Sequence, residues 1–585
     1  MTALPAHVDF IKAAASPPPA GILPPRPGDW LRQPIWANRA LFGQVALAAT
    51  LINIFALATS LFSMTVYNKI VPNNAVDSMT ALLIGIGMVL AFDFLLRTLR
   101  GYFVDVAGQN IDRALGAAIF DRLLGLKLAA RSGSNGAFAG VLREFETLRE
   151  FFASATVVAI VDVPFILLFV AVIWVVAAPL AWIPLLAIPL VIGAALASQP
   201  LLDRLARASL AEGLSKQGII VETIAGLETV KTSRAGPMLA TRWRAAVAGH
   251  AAVSLQQRLV SGLAINLAAV VQNIVYVVTV AAGVSLIASR DLTMGALVAA
   301  SMLSGRCVAP LGQIASLLTR LGQTRMAYRA LDKVMAGAGE GDDTSPLRRP
   351  RLGGGIAFKN VSFGYPGADT PAIDGINFRI EPGERVAIIG RIGSGKSTIA
   401  RLLLGLYAPE KGAVRVDDAD VRQLHPDDLR ANIGAVLQDV VLLSGSIRDN
   451  IALGDPAVDD AAVLRAARLS GAHDFIGAHP RGYDQPLADR GEGLSGGQRQ
   501  AIAMARALVG EKPILLFDEP TSAMDSASEA ALIDRLAGAI EGRTLVLVTH
   551  RQSMLRLIDR VIILDGGRII ADGPRDAVMQ TLAIV

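Results

Sequence analysis

Cysteine is almost missing from this sequence: Cys307 is the only one in 585 residues. One thiol forms no intramolecular disulfide and builds no thiolate metal cluster, so both are excluded as a framework for the fold. A secretory signal is lacking as well, because Met1 to Lys12 shows no basic start followed by an apolar core. The first hydrophobic helix must then act as its own insertion signal. Charge of one sign is also scarce. A formal net charge of +5 is modest for this length, and arginines spread over polar loops suit the cytoplasmic side of a membrane better than a nucleic-acid groove. No nucleic-acid partner is expected.

Apolar residues are in excess. A hydrophobic share of 52 % and a mean hydropathy of +0.48 exceed what an ordinary soluble enzyme carries, so part of the chain resides in lipid. Six stretches are long and apolar enough for the roughly 20 residues that a helical span needs, at 41–65, 79–99, 154–177, 180–198, 262–287 and 293–318. Pro184 and Pro189 interrupt the fourth, which leaves a re-entrant hairpin as its alternative. The loops 100–153 and 199–261 hold seven and eight Lys or Arg, whereas the short links between spans hold only Lys69 and Arg290. Basic loops stay inside, so both termini are predicted to be cytoplasmic.

The long inner loops repeat apolar residues at helical spacing, through Ile111, Leu115, Ile119 and Leu123 and through Leu201, Leu205, Leu210 and Leu214. They are expected to extend the membrane helices, with bends within 101–115 and 210–233 that press on a soluble domain. Asp93, Asp162 and Arg306 each interrupt an apolar span and would cost roughly 2.5 to 3.5 kcal/mol apiece against lipid. They are expected to face inward, with Arg306 pairing an aspartate or lining a wet cavity, and Arg97 offering Asp93 a partner four residues away.

Ahead of the spans, residues 1–36 are proline-rich, with Pro17 to Pro19, Pro24, Pro25, Pro27 and Pro34, and are expected to form an extended cytoplasmic tail. The membrane domain is assigned to 37–335. A polar stretch at 336–355 marks a linker, and from Ile356 to the end β-rich runs alternate with helical ones, the pattern of a layered α/β domain at 356–585.

That second domain carries the chemistry. Gly390-Arg-Ile-Gly393-Ser394-Gly395-Lys396-Ser397-Thr398 follows an apolar strand and precedes a helical run, which is the context of a P-loop. Its glycines let backbone N–H groups converge on phosphates at a helix N-terminus, Lys396 reaches the outer phosphates and Ser397 offers a hydroxyl to magnesium. Ile514 to Glu519 is a buried strand ending in two carboxylates: Asp518 is suited to hold magnesium and Glu519 to polarise the attacking water. Gln438 is placed to sense magnesium and the terminal phosphate, His550 ends a strand where it can contact that phosphate, and Tyr365 precedes the P-loop strand where it can stack on adenine.

The run Leu494-Ser495-Gly496-Gly497-Gln498 resembles the signature motif of the ATP-binding cassette exporters, and the likeness extends over residues 41–585 through Tyr365, Gln438, Asp518, Glu519, Ser522-Ala523-Met524-Asp525 and His550 in order. The resemblance implies a six-span α-helical bundle followed by an α/β P-loop nucleotide-binding domain. It also implies ATP and Mg2+ as cofactors, and a homodimer in which Ser495 to Gln498 of one subunit close over the nucleotide held by the other. Segments such as Tyr67 to Ala75, Leu99 to Asp105 and Gly471 to Ile476 resemble the type I protein-secretion ATPases of the haemolysin and large-adhesin kind. That likeness implies a bacterial inner-membrane ATPase and permease. Its substrate would be an unfolded secreted polypeptide, and its partners a periplasmic adaptor, an outer-membrane channel and the surrounding lipids. A lipid or drug exporter is the alternative. Departures are visible: the tail is too short for the peptidase-like domain that many such ATPases carry, and no cysteine precedes Cys307 for a thiol peptidase. Asp489 stands where a glutamate is usual before the signature, and Met524 replaces a leucine at nearly equal volume.

Overall fold

In a computed structural model of the protein, the described residues are 28–130, 135–152, 158, 161–340, 346–453, 455 and 457–584. They divide into two compact units. Residues 125–130 group with 338 onward, and the other residues up to 337 form a helical unit.

The helical unit opens with α1 (Asp29–Ala37), α2 (Arg39–Thr65), α3 (Val76–Leu124) and α4 (Asn135–Phe152). It continues with α5 (Phe165–Ala225), α6 (Leu227–Thr232), α7 (Gly236–Ala288) and α8 (Met294–Met335). Residues 29–37 are thus helical and not an extended tail, while 1–27 lie outside the described residues. Burial overrides the proline content here: the Trp30 ring stacks on Tyr328 at 5.7 Å and its Nε1 donates to Asp332 at 3.0 Å. Pro34 costs the short helix only one internal bond.

Among the described residues five helices are long and apolar enough to cross a membrane, against six expected spans. The difference lies in α5, 61 residues long, whose backbone leaves helical geometry at Ala177. Trp174 and Trp182 meet there at 5.5 Å between ring centroids, whereas eight residues of unbroken helix would set them about 12 Å apart along the axis. The break falls one residue before the expected link at 178–179, so α5 carries two spans. Beyond it the helix runs on through Pro179, Pro184, Pro189 and Pro200, which rules out a re-entrant hairpin. Ile166, Ile173, Leu180, Val191, Val271 and Leu303 form the core beneath these spans. At 49 residues, α3 measures about 73 Å and outruns a 30 Å hydrocarbon core, as helical inner loops require.

The expected bend within 101–115 is absent, since that stretch is continuous helix; the chain turns instead at 125–130. There Leu126 forms an antiparallel bridge with Gly339, and the Glu340 N–H donates to the Gly125 carbonyl at 2.7 Å. Glu340 accepts both guanidinium N–H groups of Arg430, at 2.7 and 2.8 Å. The second inner loop breaks at Gly226, and the short α6 follows it within the expected interval.

Among the membrane charges, Asp162 accepts Arg100 Nη1 at 3.1 and 3.2 Å and Asn53 Nδ2 at 3.1 Å, which ties together three spans. Arg97 donates to Asp93 at 2.7 Å, the expected pair within one helix. Arg306 is half-buried and close enough to feel the charges of Arg97 and Asp93, but it hydrogen-bonds neither aspartate among the described residues. Of the two expected arrangements for Arg306, the direct bond to an aspartate is therefore not formed among the described residues, where Arg97 pairs with Asp93 and Arg100 with Asp162.

The second unit is layered. One antiparallel sheet has the order β2 (Ile373–Ile380), β1 (Ile356–Phe363), β4 (Lys411–Val416), β5 (Ala419–Asp420). The other sheet involves β3 (Arg385–Gly390), β6 (Ile433–Val436), β7 (Ile514–Asp518), β8 (Thr544–Val548), β9 (Arg560–Asp565) and β10 (Arg568–Pro574), in the order β10-β9-β3-β8-β7-β6. Its strands β9, β3, β8, β7 and β6 pair in parallel. In β7 every residue from Ile514 to Asp518 is buried, as a strand covered on both faces demands.

The Arg100–Asp162 pair is partly buried, so removing one partner leaves an incompletely compensated charge. Arg100→Met should lower the melting temperature of the purified protein, and adding Asp162→Asn should recover most of the loss. Equal melting of the single and double variants would mean that Asp162 does not depend on Arg100.

Candidate functional site

The register of the parallel sheet builds the site. Val548 lies beside Ile388 on β3 and beside Asp518 on β7, so the residues that follow leave the sheet from one edge: Gly390 and the P-loop, His550, and Glu519. Ligands bind at this carboxyl edge of parallel sheets. After β3 the chain turns into α9 (Lys396–Leu403). Gly395 has φ +99°, and a Cβ there would lie 2.6 Å from the Ala372 carbonyl oxygen; at Gly390 a Cβ would meet the Leu564 oxygen at 2.1 Å. Only glycine fits either position.

Lys396 folds over this loop, its Nζ donating to the carbonyls of Gly390 and Arg391 at 2.8 Å each. Burial lowers its pKa, opposed by the charges of Glu519 and Asp518, so the three groups share one electrostatic environment. Ser394 and Thr398 are buried, and Ser394 Oγ has no hydrogen-bond partner among the described residues. The Tyr365 hydroxyl lies 3.2 Å from Thr398 Oγ1 and accepts Arg401 Nη1 at 2.8 Å, while Phe363 and Tyr407 hold its ring edge-on. Tyr365 is thereby anchored beside the P-loop. Arg401 was not singled out by sequence.

Asp518 is almost wholly buried, its Oδ1 has no hydrogen-bond partner among the described residues, and burial raises its pKa, with a Ser397 hydrogen bond acting the other way. An orphaned carboxylate oxygen beside a serine hydroxyl is costly unless something cationic completes it. The pair fits Mg2+. Gln438 follows β6, whose Val436 pairs with Phe517, and it is exposed near the same sheet edge, its side chain making no hydrogen bond among the described residues.

Glu519 has φ +51°, a left-handed conformation uncommon for glutamate. Its N–H donates to the Val548 carbonyl at 2.9 Å, and Oε1 lies 2.8 Å from His550 Nδ1. The two side chains expected to act on the terminal phosphate and its attacking water are therefore in contact. Ser495 caps α10 (Gly496–Leu508) in a reciprocal box with Gln498: the Gln498 N–H reaches Ser495 Oγ at 3.2 Å, and the Ser495 N–H reaches Gln498 Oε1 at 2.9 Å. Ser495 is exposed, and among the described residues no hydrogen bond joins Ser495 to Gln498 with the P-loop of the same chain. The side chain of Asp489 lies outside the described residues.

Glu519→Gln should retain ATP binding while turnover falls by about two to four orders of magnitude, because the amide cannot take a proton from water. Near-normal turnover in the purified variant would remove Glu519 from that role.

The chain matches the ABC transporter family over residues 373–522 and the ABC transporter transmembrane region over 42–311. It is 33 % identical, over 94 % of its length and 78 % of the relative, to the exotoxin translocation ATP-binding protein PaxB of Pasteurella aerogenes. It is 34 % identical over the same shares to the leukotoxin translocation ATP-binding protein LktB of a Pasteurella haemolytica-like species. The toxin RTX-I translocation ATP-binding protein of Actinobacillus pleuropneumoniae is 33 % identical over 93 % of this chain and 77 % of its own. Among solved structures, a bacterial Atm1-family ABC exporter with ATP bound superposes with a TM-score of 0.81 at 27 % identity, covering 94 % of this chain and 96 % of that one. With these relatives, this P-loop sheet and these membrane helices, the chain belongs to the ATP-binding cassette exporters of the type I protein-secretion family.

Proposed function

We propose that this protein is the inner-membrane ATPase and permease of a type I secretion system, using ATP to move an unfolded polypeptide out of a bacterial cytoplasm. The observation that carries this reading is identity of 33 to 34 % to toxin translocation proteins across 94 % of the chain, with the P-loop, the Asp518-Glu519 pair and the Leu494 to Gln498 signature all present. In this reading residues 37–335 form the membrane domain, 336–355 the linker and 356–585 the cassette, with both termini cytoplasmic. The working unit is a homodimer that docks on a periplasmic adaptor and an outer-membrane channel.

Residue roles follow from the site. Tyr365 stacks on the adenine. Gly390, Gly393, Ser394, Gly395 and Thr398 shape the phosphate cradle, and Lys396 exchanges its two carbonyl partners for the outer phosphates. Ser397, Asp518 and Gln438 would hold Mg2+, which supplies positive charge against the phosphate oxygens. Glu519 takes the proton of the attacking water, and His550 orients that carboxylate and meets the terminal phosphate. Ser495, Gly496, Gly497 and Gln498 close over the nucleotide held by the other subunit.

Deleting the gene and comparing secreted proteins with exported lipids tests the substrate class. A large protein should vanish from the medium or cell surface and return with the wild-type gene but not with Glu519→Gln. Intracellular lipid accumulation with an unchanged set of secreted proteins would favour the lipid exporter instead.

A further inference from the structure

The loop from Glu519 to Asp525 is gripped from two sides, by Gln500, which follows the signature by two residues, and by Arg551. Gln500, in the second turn of α10, is buried. Its Nε2 donates to the Glu519 carbonyl at 2.9 Å and to Ser522 Oγ at 3.1 Å, and its Oε1 accepts the Ala523 N–H at 2.9 Å. Three of the four hydrogen-bonding positions of one amide are thus spent on one loop. Gly496 completes the contact, since a Cβ there would stand 3.1 Å from the Ala523 methyl.

Arg551, next in sequence to His550, holds the other side. It donates to the carbonyls of Ser522 at 3.3 Å and Met524 at 3.4 Å. It also pairs with Glu529, a buried carboxylate that takes the Ser553 hydroxyl as well. With two clamps the loop cannot move independently of α10, and α10 begins at the signature serine.

We infer that Gln500 is a positioning residue that ties the placement of the signature Ser495–Gln498 to the placement of Glu519 in the same chain. On the dimer reading given above, the signature touches the nucleotide held by the partner. Gln500 then reports that nucleotide to this chain's own hydrolytic carboxylate, so that the two sites turn over in concert. A merely structural role would make Gln500 a buried cross-link whose loss lowers stability without regard to the donor it directs at Glu519.

The test uses the full-length protein in lipid nanodiscs and compares the wild type with Gln500→Glu and Gln500→Met. Gln500→Glu is nearly isosteric and keeps the acceptor for the Ala523 N–H, but at neutral pH it turns the donor facing the Glu519 carbonyl into a second acceptor. Its kcat for ATP should fall about tenfold or more with KM changed less than about twofold, and its Hill coefficient should drop to unity from a wild-type value above it. Burial raises the pKa of the new carboxyl, so lowering the pH from about 8 to about 6 protonates it and restores a donor. The ratio of variant to wild-type kcat should therefore rise as the pH falls, and Gln500→Met should show no such recovery. Unchanged kcat and Hill coefficient in both variants overturn the inference. So does a loss in Gln500→Glu that matches Gln500→Met at every pH and tracks a fall in melting temperature. A wild type that is monomeric with a Hill coefficient of unity defeats the dimer reading, while the kcat and pH comparisons still decide whether Gln500 positions Glu519.

Discussion

The parallel register of three neighbouring strands is the constraint on which the cassette depends. Because Ile388, Val548 and Asp518 lie abreast, the phosphate loop, His550 and Glu519 emerge together from one sheet edge. Side chains alternate along a strand, so a slip of one residue would turn Asp518 to the opposite face and leave Ser397 without its partner. The apolar content of β7 and β8 prevents that slip: both strands are buried along their whole length between two cores. Hydrophobic burial here sets the chemistry, since it fixes which oxygen atoms are left unsatisfied at the end of the sheet.

The grouping of most candidate-site residues at one sheet edge was legible in the sequence because phosphate chemistry demands contiguous residues. Gly390 to Thr398 must curl within one turn, and Asp518 and Glu519 must end one strand, so a short window holds the whole requirement. Tyr365 and His550 were legible from their place relative to strands, but their contacts were not. The Tyr365 hydroxyl is held by Arg401, 36 residues away, and no local pattern marks that arginine. Gln500 did leave a trace. It lies at helical spacing with the buried Met504 and Leu508, and a glutamine in a core position is a sign of an internal hydrogen-bonded partner.

The membrane half shows the same division. Asp93 and Arg97 could be paired from sequence because four residues bring them to one helix face. Asp162 is paired by Arg100, 62 residues away, and Asn53, 109 residues away, contacts that exist only once three spans have packed. Depth alone pointed to Arg306, but depth carries no information on rotation about the helix axis. The number of spans was legible from hydropathy, and so, to within one residue, was the break at Ala177, which comes two residues before Pro179; the contact of Trp174 with Trp182 across it was not.

The conformation of Glu519 joins the sheet to the signature helix. A glutamate at φ +51° costs on the order of 1 kcal/mol or more and persists only where its surroundings hold it. Here three contacts do so: its N–H is fixed to the Val548 carbonyl on β8, its own carbonyl receives Gln500 from α10, and its carboxylate lies against His550 at the end of β8. Two of these come from the sheet that carries the P-loop and one from the helix that begins at the signature. A residue held in strain by two separate elements responds to a displacement of either one. The sheet and α10 therefore both bear on the carboxylate proposed to act in hydrolysis, and the strain at Glu519 is what makes its position sensitive to them.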